Sequence, residues 1–253
     1  TVSPDDGRQS QTTDQPAIRV VPGHDTSAAV GAIPFDPGAS AFLSTGSWFI
    51  PGFEVASPVI TDEIFDMQAE NVGGVAGTSR LVRNFPGFSI WERCREAWGA
   101  AGNATSYAAL VAAAREAPRF RTFLDMTDDR VRRGTPHPDP LAGIAAFCRA
   151  TDQPVPDTPG AVTRCLFESL AAQSAIVLER LGRYADRSFQ TVRVVGCVAH
   201  NDLLCQWIAD ALDRPIRAGA PEATAIGNLL SQAIGAFTLD SVAAVRALVA
   251  REV

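Results

Sequence analysis

Four short stretches of the sequence hold residue types that can do chemistry. The first is Gly23-His24-Asp25-Thr26 within VPGHDTSAAV (21–30), where a carboxylate follows an imidazole at the expected end of a strand. A carboxylate there can take a proton from a bound hydroxyl, and polar residues gather at strand C-termini in α/β sites. The same residues also suit a turn and helix cap. The small residues Ser27, Ala28 and Ala29 admit a ligand or a packed helix equally. The second stretch, LSTGSW (43–48), offers hydroxyls and backbone N–H groups to phosphate oxygens, and is an ordinary hairpin composition as well. The third, VVGCVAHN (194–201), joins an apolar strand to a helix through a glycine turn, a place where a nucleotide can meet a helix N-terminus. The fourth, GAPEATAIGN (219–228), opens a helix with Gly227 inside it, a sign of close packing.

The elements that must position these stretches can be read from hydrophobic period and turn residues. A β-branched run at 17–21 ends at Pro22-Gly23, and 41–50 reads as two strands joined through Ser-Thr-Gly-Ser and stopped by Pro51-Gly52. Helical patterns cover 61–70, 90–99 and 107–116, with an irregular segment over 120–140 rich in Asp, Gly and Pro. Helices at 140–151 and 160–184 follow. The second carries Val162, Leu166, Leu170, Val177 and Leu181 on one face, with Ser174 as the polar interruption. Then come a buried strand at 192–195, a helix at 202–212, a strand at 215–218 and helices at 223–237 and 241–251. Alternation of strand and helix predicts α/β layering, a mixed central sheet flanked by helices. Residues 1–16 read as a polar flexible lead-in and 17–253 as one domain.

Composition excludes more than it selects. The chain has 253 residues, 46% hydrophobic and 20% charged, a balance that supports a globular core. A net charge of −6 and an isoelectric point near 5.1 argue against nucleic acid or an anionic membrane as partner. No apolar run approaches a membrane span and the N-terminus is no signal peptide, so a cytoplasmic location is expected. The cysteines at 94, 148, 165, 197 and 205 are odd in number and widely spaced, against a disulfide framework or zinc site. All 22 basic residues are arginine, which excludes a Walker A lysine, a protein-kinase lysine and Schiff-base chemistry. His137 reads as a solvated loop residue, and His200 as a flank of the helix at 202 rather than a metal ligand.

Taken in order, GHDTSAAV, LSTGSWFIPGFE, NVGGVAGTSRLVRNFPGF, VVGCVAHNDLLCQWIADAL and GAPEATAIGN resemble the C-terminal lobe of the FGGY family of carbohydrate kinases, in its rhamnulokinase branch, from about residue 20 to 237. The resemblance implies an actin-like, ribonuclease-H-like lobe of an ATP- and Mg²⁺-dependent sugar kinase. It makes Asp25 the general base, with His24 and Thr26 beside the sugar, and assigns Asn84 as a sugar contact. Ser47 stands at the phosphate-facing loop where the pattern prefers threonine, and Glu92 stands near the nucleotide where glutamine is usual. At the adenine loop, Gly196-Cys197-Val198 replaces three glycines, and side chains at 197 and 198 are expected to crowd a nucleotide. No metal-ligating protein residue is implied. The expected partners are a ketose, ATP and the family's N-terminal lobe, with a homodimer also admitted. The chain is expected to be one half of a longer or split enzyme, inactive when isolated. A non-catalytic kinase-like binding module is the alternative that the altered glycine loop raises. A hydrolase using His24 or His200 with a serine lacks any G-x-S-x-G elbow.

Overall fold

The computed structural model describes residues 21–34, 36, 38–133 and 138–252. The expected lead-in, the strand at 17–21 apart from Val21, and His137 lie outside the described residues. At the centre is a hairpin, β1 (Ser40–Thr45) and β2 (Trp48–Val55), paired antiparallel across a turn at Gly46 and Ser47. β1 then runs parallel to β6 (Thr191–Gly196), which runs parallel to β7 (Ile216–Ala218). On the other side β2 carries β4 (Ser79–Val82), and β3 (Glu70–Gly73) forms the edge. A two-residue strand, β5 (Phe85–Pro86), continues beside the start of β2. The mixed sheet therefore has the order β3-β4-β2-β1-β6-β7.

Side-chain alternation divides the sheet into two faces. Ala41, Leu43, Phe49, Phe53, Leu81, Val192 and Val194 face the larger apolar layer, while Phe42, Val82 and Val195 face the smaller one. The larger layer holds α3 (Phe88–Ala100), α4 (Tyr107–Glu116), α6 (Pro140–Ala150), α7 (Pro159–Tyr184) and α8 (Asp202–Leu212), with the short α2 (Asp62–Asp66) and α5 (Asp129–Arg133) at its margin. The smaller holds α1 (Asp25–Ala32) and α9 (Ala223–Gly235), with α10 (Val242–Glu252) packed on α1. The α1–α9 crossing is so close that a β-carbon on Gly227 would lie 1.9 Å from the Ala28 carbonyl oxygen. Any side chain at 227 separates these helices.

Helix α7 is buried along the expected stripe, and Ser174 is satisfied by donating to Leu170 O at 2.7 Å. By length and composition this 26-residue helix is apolar enough to cross a bilayer, contrary to the expectation that no apolar run approaches a span; 78% of its most apolar window is buried within the protein, as in a core helix. An internal ion pair on it joins Arg164 Nε to Glu168 Oε1 at 2.7 Å, both side chains 5% exposed. Arg164 also donates to the carbonyls of Ala114, Arg115 and Ala117, closing the C-terminus of α4, and stacks on Trp207. Glu168 accepts from the Phe120 N–H. Two charges thus fasten α4 and the following loop to α7.

Three local expectations need correction. β2 continues through Pro51 and Gly52 instead of ending there. The Pro51 carbonyl accepts from Arg83 N at 3.3 Å, on the side where β4 has ended at Val82 and β5 has yet to begin. The missing N–H of Pro51 points to that same gap, so no ladder bond is lost. The segment 61–70 is helical only over Asp62–Asp66, capped by Thr61, because Gln68 turns left-handed at φ 54° and Glu70 enters β3. Strands β3, β4 and β5 were not expected at all.

Arg164→Met should cost about 3–5 kcal/mol, because it strands a buried carboxylate. Adding Glu168→Gln should recover part of that loss, since no bare charge remains. Urea unfolding midpoints of wild type, single and double variants measure both effects.

Candidate active site

The parallel ends of β1 and β6 build the floor of the site. Thr45, 7% exposed at the end of β1, donates its hydroxyl to Val195 O at 2.6 Å and accepts from Val198 N at 3.1 Å. Gly196 has φ 88°, and a β-carbon there would lie 1.9 Å from the Thr45 carbonyl oxygen, so only glycine fits. The chain then makes a 3-10 turn over Cys197–His200, and Asn201 caps α8 by accepting from Leu204 N at 3.0 Å. Within the turn, Val198 points into the core with no exposure while Cys197 stays exposed. The expected crowding at 197 and 198 is therefore halved: one side chain, not two, stands outside.

Ser47 occupies the β1–β2 turn with its side chain exposed. Its carbonyl accepts from Gly87 N at 2.8 Å, and Gly46 O accepts from Phe88 N at 3.0 Å, which docks the turn against the start of α3. From α3, Glu92 reaches a cleft of about 770 Å³ bounded by α4 and by the turn leading into α8, with Tyr107, Cys197, His200 and Asn201 among its walls. Glu92 pairs with Arg95 Nε at 3.3 Å, and that guanidinium lies 3.9 Å from the Tyr107 ring centroid. Hydrogen bonding to Glu92 raises the Tyr107 hydroxyl above the usual phenol range. Desolvation, with a smaller contribution from Glu92, pushes the Cys197 thiol up, which keeps it a neutral wall of the cleft.

The second group of residues surrounds the start of α1. His24 is the N-cap, its Nδ1 3.2 Å from Thr26 N and 2.9 Å from Asp25 Oδ1. Asp25 Oδ1 accepts from both the backbone N–H and the hydroxyl of Thr26, whose side chain is buried. The Asp25 side chain is 72% exposed, and among the described residues no arginine forms an ion pair with it. At the first position of a helix a carboxylate also meets the positive end of the helix dipole. Ser27 Oγ donates to Gly73 O at 2.6 Å, which moors this turn to β3.

The structure thus brings Ser47, Glu92, Gly196 and Cys197 to one end of the sheet, and His24, Asp25 and Thr26 to the first turn of α1 against β3. Asn84 sits between β4 and β5, and its side-chain oxygen is buried without a hydrogen-bond partner among the described residues. Thr45, Arg95 and Tyr107 were not singled out in the sequence. Thr45 stands inside the hydroxylated LSTGSW turn, and Arg95 follows Glu92 at i+3 on a helix, so both left a signal. Tyr107 left none.

The fold defines a class, the actin-like, ribonuclease-H-like lobe. A xylulose kinase from Rhodospirillum rubrum aligns over 87% of this chain and 43% of its own, at 18% identity and a TM-score of 0.60. Plasmodium falciparum glycerol kinase with ADP aligns over 88% and 44%, at 13% identity and a TM-score of 0.60. The sequence narrows the class. Residues 41–236 match the model of the FGGY family of carbohydrate kinases, C-terminal domain. A rhamnulokinase from Bacteroides thetaiotaomicron is 41% identical over 236 residues, which is 93% of this chain and 47% of the relative. The chain belongs to the FGGY family of carbohydrate kinases and spans about half the length of that relative.

Thr45→Val keeps the shape of the side chain but leaves Val195 O and Val198 N without their partner. A loss of about 1–3 kcal/mol in urea unfolding is expected. Thr45→Ser, which keeps the hydroxyl, should recover most of it.

Proposed function

We propose that this chain is the nucleotide-side half of an enzyme that transfers the γ-phosphoryl group of ATP to a hydroxyl of a ketose, rhamnulose or a related sugar, with Asp25 as general base. The observation that carries the reading is the Asp25 carboxylate in a chain of this family: open at a helix N-terminus, held by Thr26 and His24, and in an ion pair with no arginine among the described residues. A sugar hydroxyl is a weak nucleophile. As its oxygen bonds to the γ-phosphorus and the bond to the bridging oxygen breaks, its proton passes to Asp25 and ADP leaves. The unsatisfied Asn84 oxygen suits a donated sugar hydroxyl, and His24 and Thr26 would flank the same sugar.

The cleft beside Glu92 and Cys197 lies within the volume range of small-molecule sites, which supports a nucleotide there, with Ser47 and Gly196 toward its phosphates. The charge of Glu92 is already met by Arg95 and so opposes ATP less than a bare carboxylate would. Among the described residues no three His, Cys, Asp or Glu side chains group as a metal site. Mg²⁺ would accordingly be held chiefly by the ATP phosphates and water, and would supply charge neutralisation for the transfer. The second half of the enzyme, matching the rest of the relatives' length, would bring the remaining phosphate and sugar contacts. The alternative of a non-catalytic binding module rested on the altered glycine loop, and the inward Val198 removes half of that basis.

In the full-length protein, Asp25→Asn should lower kcat about 10²–10⁴-fold and leave the KM for sugar nearly unchanged, because the amide keeps the shape but cannot take the proton. Steady-state phosphorylation at saturating ATP measures this. A variant within about threefold of wild type, roughly 0.7 kcal/mol, returns residues 23–26 to the status of a turn.

A further inference from the structure

Arg80 is 1% exposed and is the largest of the fully buried side chains. It stands on β4 directly across from Glu54 on β2 and Val72 on β3. Its Nε donates to Gly73 O at 3.3 Å, while one terminal nitrogen is shielded and has no hydrogen-bond partner among the described residues. The buried acid across the strand pair, Glu54, is taken up by Arg246 at 2.6 Å. A buried cation with an idle donor is expensive, and a protein core rarely keeps one without a use for its charge. Burial pushes Arg80 down to about 10, and the charge that opposes this shift is Asp25. A mechanical link accompanies the electrostatic one. The Gly73 carbonyl that holds Arg80 Nε is the same atom that accepts from Ser27 Oγ, in the first turn of α1.

We propose that Arg80 is the positioning residue of Asp25: by holding the Gly73 carbonyl that also accepts from Ser27, it fixes the first turn of α1 and with it the Asp25 carboxylate. The inference rests on the reading of Asp25 as the base. Arg80, 1% exposed, is closed off from a ligand and acts only through other groups. It acts by keeping the carboxylate in the orientation and field in which it accepts a proton. An arginine suits this better than a lysine, because its fork can hold the Gly73 carbonyl with one nitrogen while the delocalised charge extends beyond it.

A double-mutant cycle in the full-length protein tests the proposal. Arg80→Met preserves length and apolar bulk without charge, and should lower kcat at least about tenfold with the KM for ATP unchanged, a coupling of the size found between neighbouring residues. Arg80→Lys, which returns the charge and a donor but not the fork, should recover part of kcat. In an Asp25→Asn background Arg80→Met should change kcat by less than about twofold, because the group it positions is already disabled. A structural role would instead give the same fold-loss in both backgrounds, and that result, or an Arg80→Met enzyme within about twofold of wild type, overturns the inference. If Arg80→Met fails to fold, Arg80→Gln, which retains a donor toward Gly73, takes its place in the cycle with the same two readings. Failure of the base assignment itself is separately visible as an active Asp25→Asn single variant.

Discussion

The Thr45 carbonyl and the α-carbon of Gly196 approach so closely that no β-carbon can stand between them. Much of the cleft follows from that contact. Because residue 196 must be glycine, it can adopt φ 88° and turn the chain out of β6 at the level where β1 ends. The Thr45 hydroxyl then accepts from Val198 N, which pins the start of the 3-10 turn with Val198 inward and Cys197 facing out. Asn201 is delivered as the cap of α8, and the cleft wall from Cys197 to Asn201 is set before any ligand arrives. A site assembled on strand ends in this way is preorganised by the sheet, which holds its walls to the tolerance of backbone hydrogen bonds.

The parts of the fold that were legible in the sequence are those with a long signal. Helix α4 runs over Tyr107–Glu116 and α8 over Asp202–Leu212, as their period and flanking residues indicated, and β6 lies where the β-branched run lies. The illegible parts are short and lean on neighbours. Four residues of β3, ENVG, carry no alternation of their own and pair only because β4 is beside them. β4 places a charged residue, Arg80, at a buried position, which reads locally as exposure. Pro51 looked like a terminator because a proline rule is written for a complete ladder; here the ladder on one side is broken between β4 and β5, and the rule does not bind.

For the site, local chemistry and family resemblance contributed differently. No local feature separated the HDT turn from a common helix cap, and in the structure His24 does act as one. What the sequence could not convey is that the neighbouring carboxylate remains open although Thr26 and Ser27 behind it are buried. Glu92 shows the converse. It stands where the family pattern has an uncharged glutamine, yet one helical turn away Arg95 meets its charge and Tyr107 its lone pairs. Whether a charge is a barrier depends on its partners, and those are set by packing.

The absence of lysine has a structural counterpart. Two of the deepest cations, Arg80 and Arg164, sit in positions that a lysine ammonium would fill poorly. Arg164 satisfies three carbonyls and a carboxylate while its planar face covers Trp207. An ammonium has three donors and no flat face, and its stronger hydration makes burial costlier. The same property governs the phosphate problem. Arg95 is already engaged by Glu92 and Tyr107, and the exposed Arg115 stands at the margin of the cleft. On the proposed reading, neutralisation of a triphosphate would fall to backbone N–H groups at the Ser47 and Gly196 turns, to the second half of the enzyme and to the metal that travels with the nucleotide. Strand-end turns with small residues are well suited to this, because glycines at 46 and 196 let the main chain approach phosphate oxygens closely, with only the small side chains of Ser47 and Cys197 beside them.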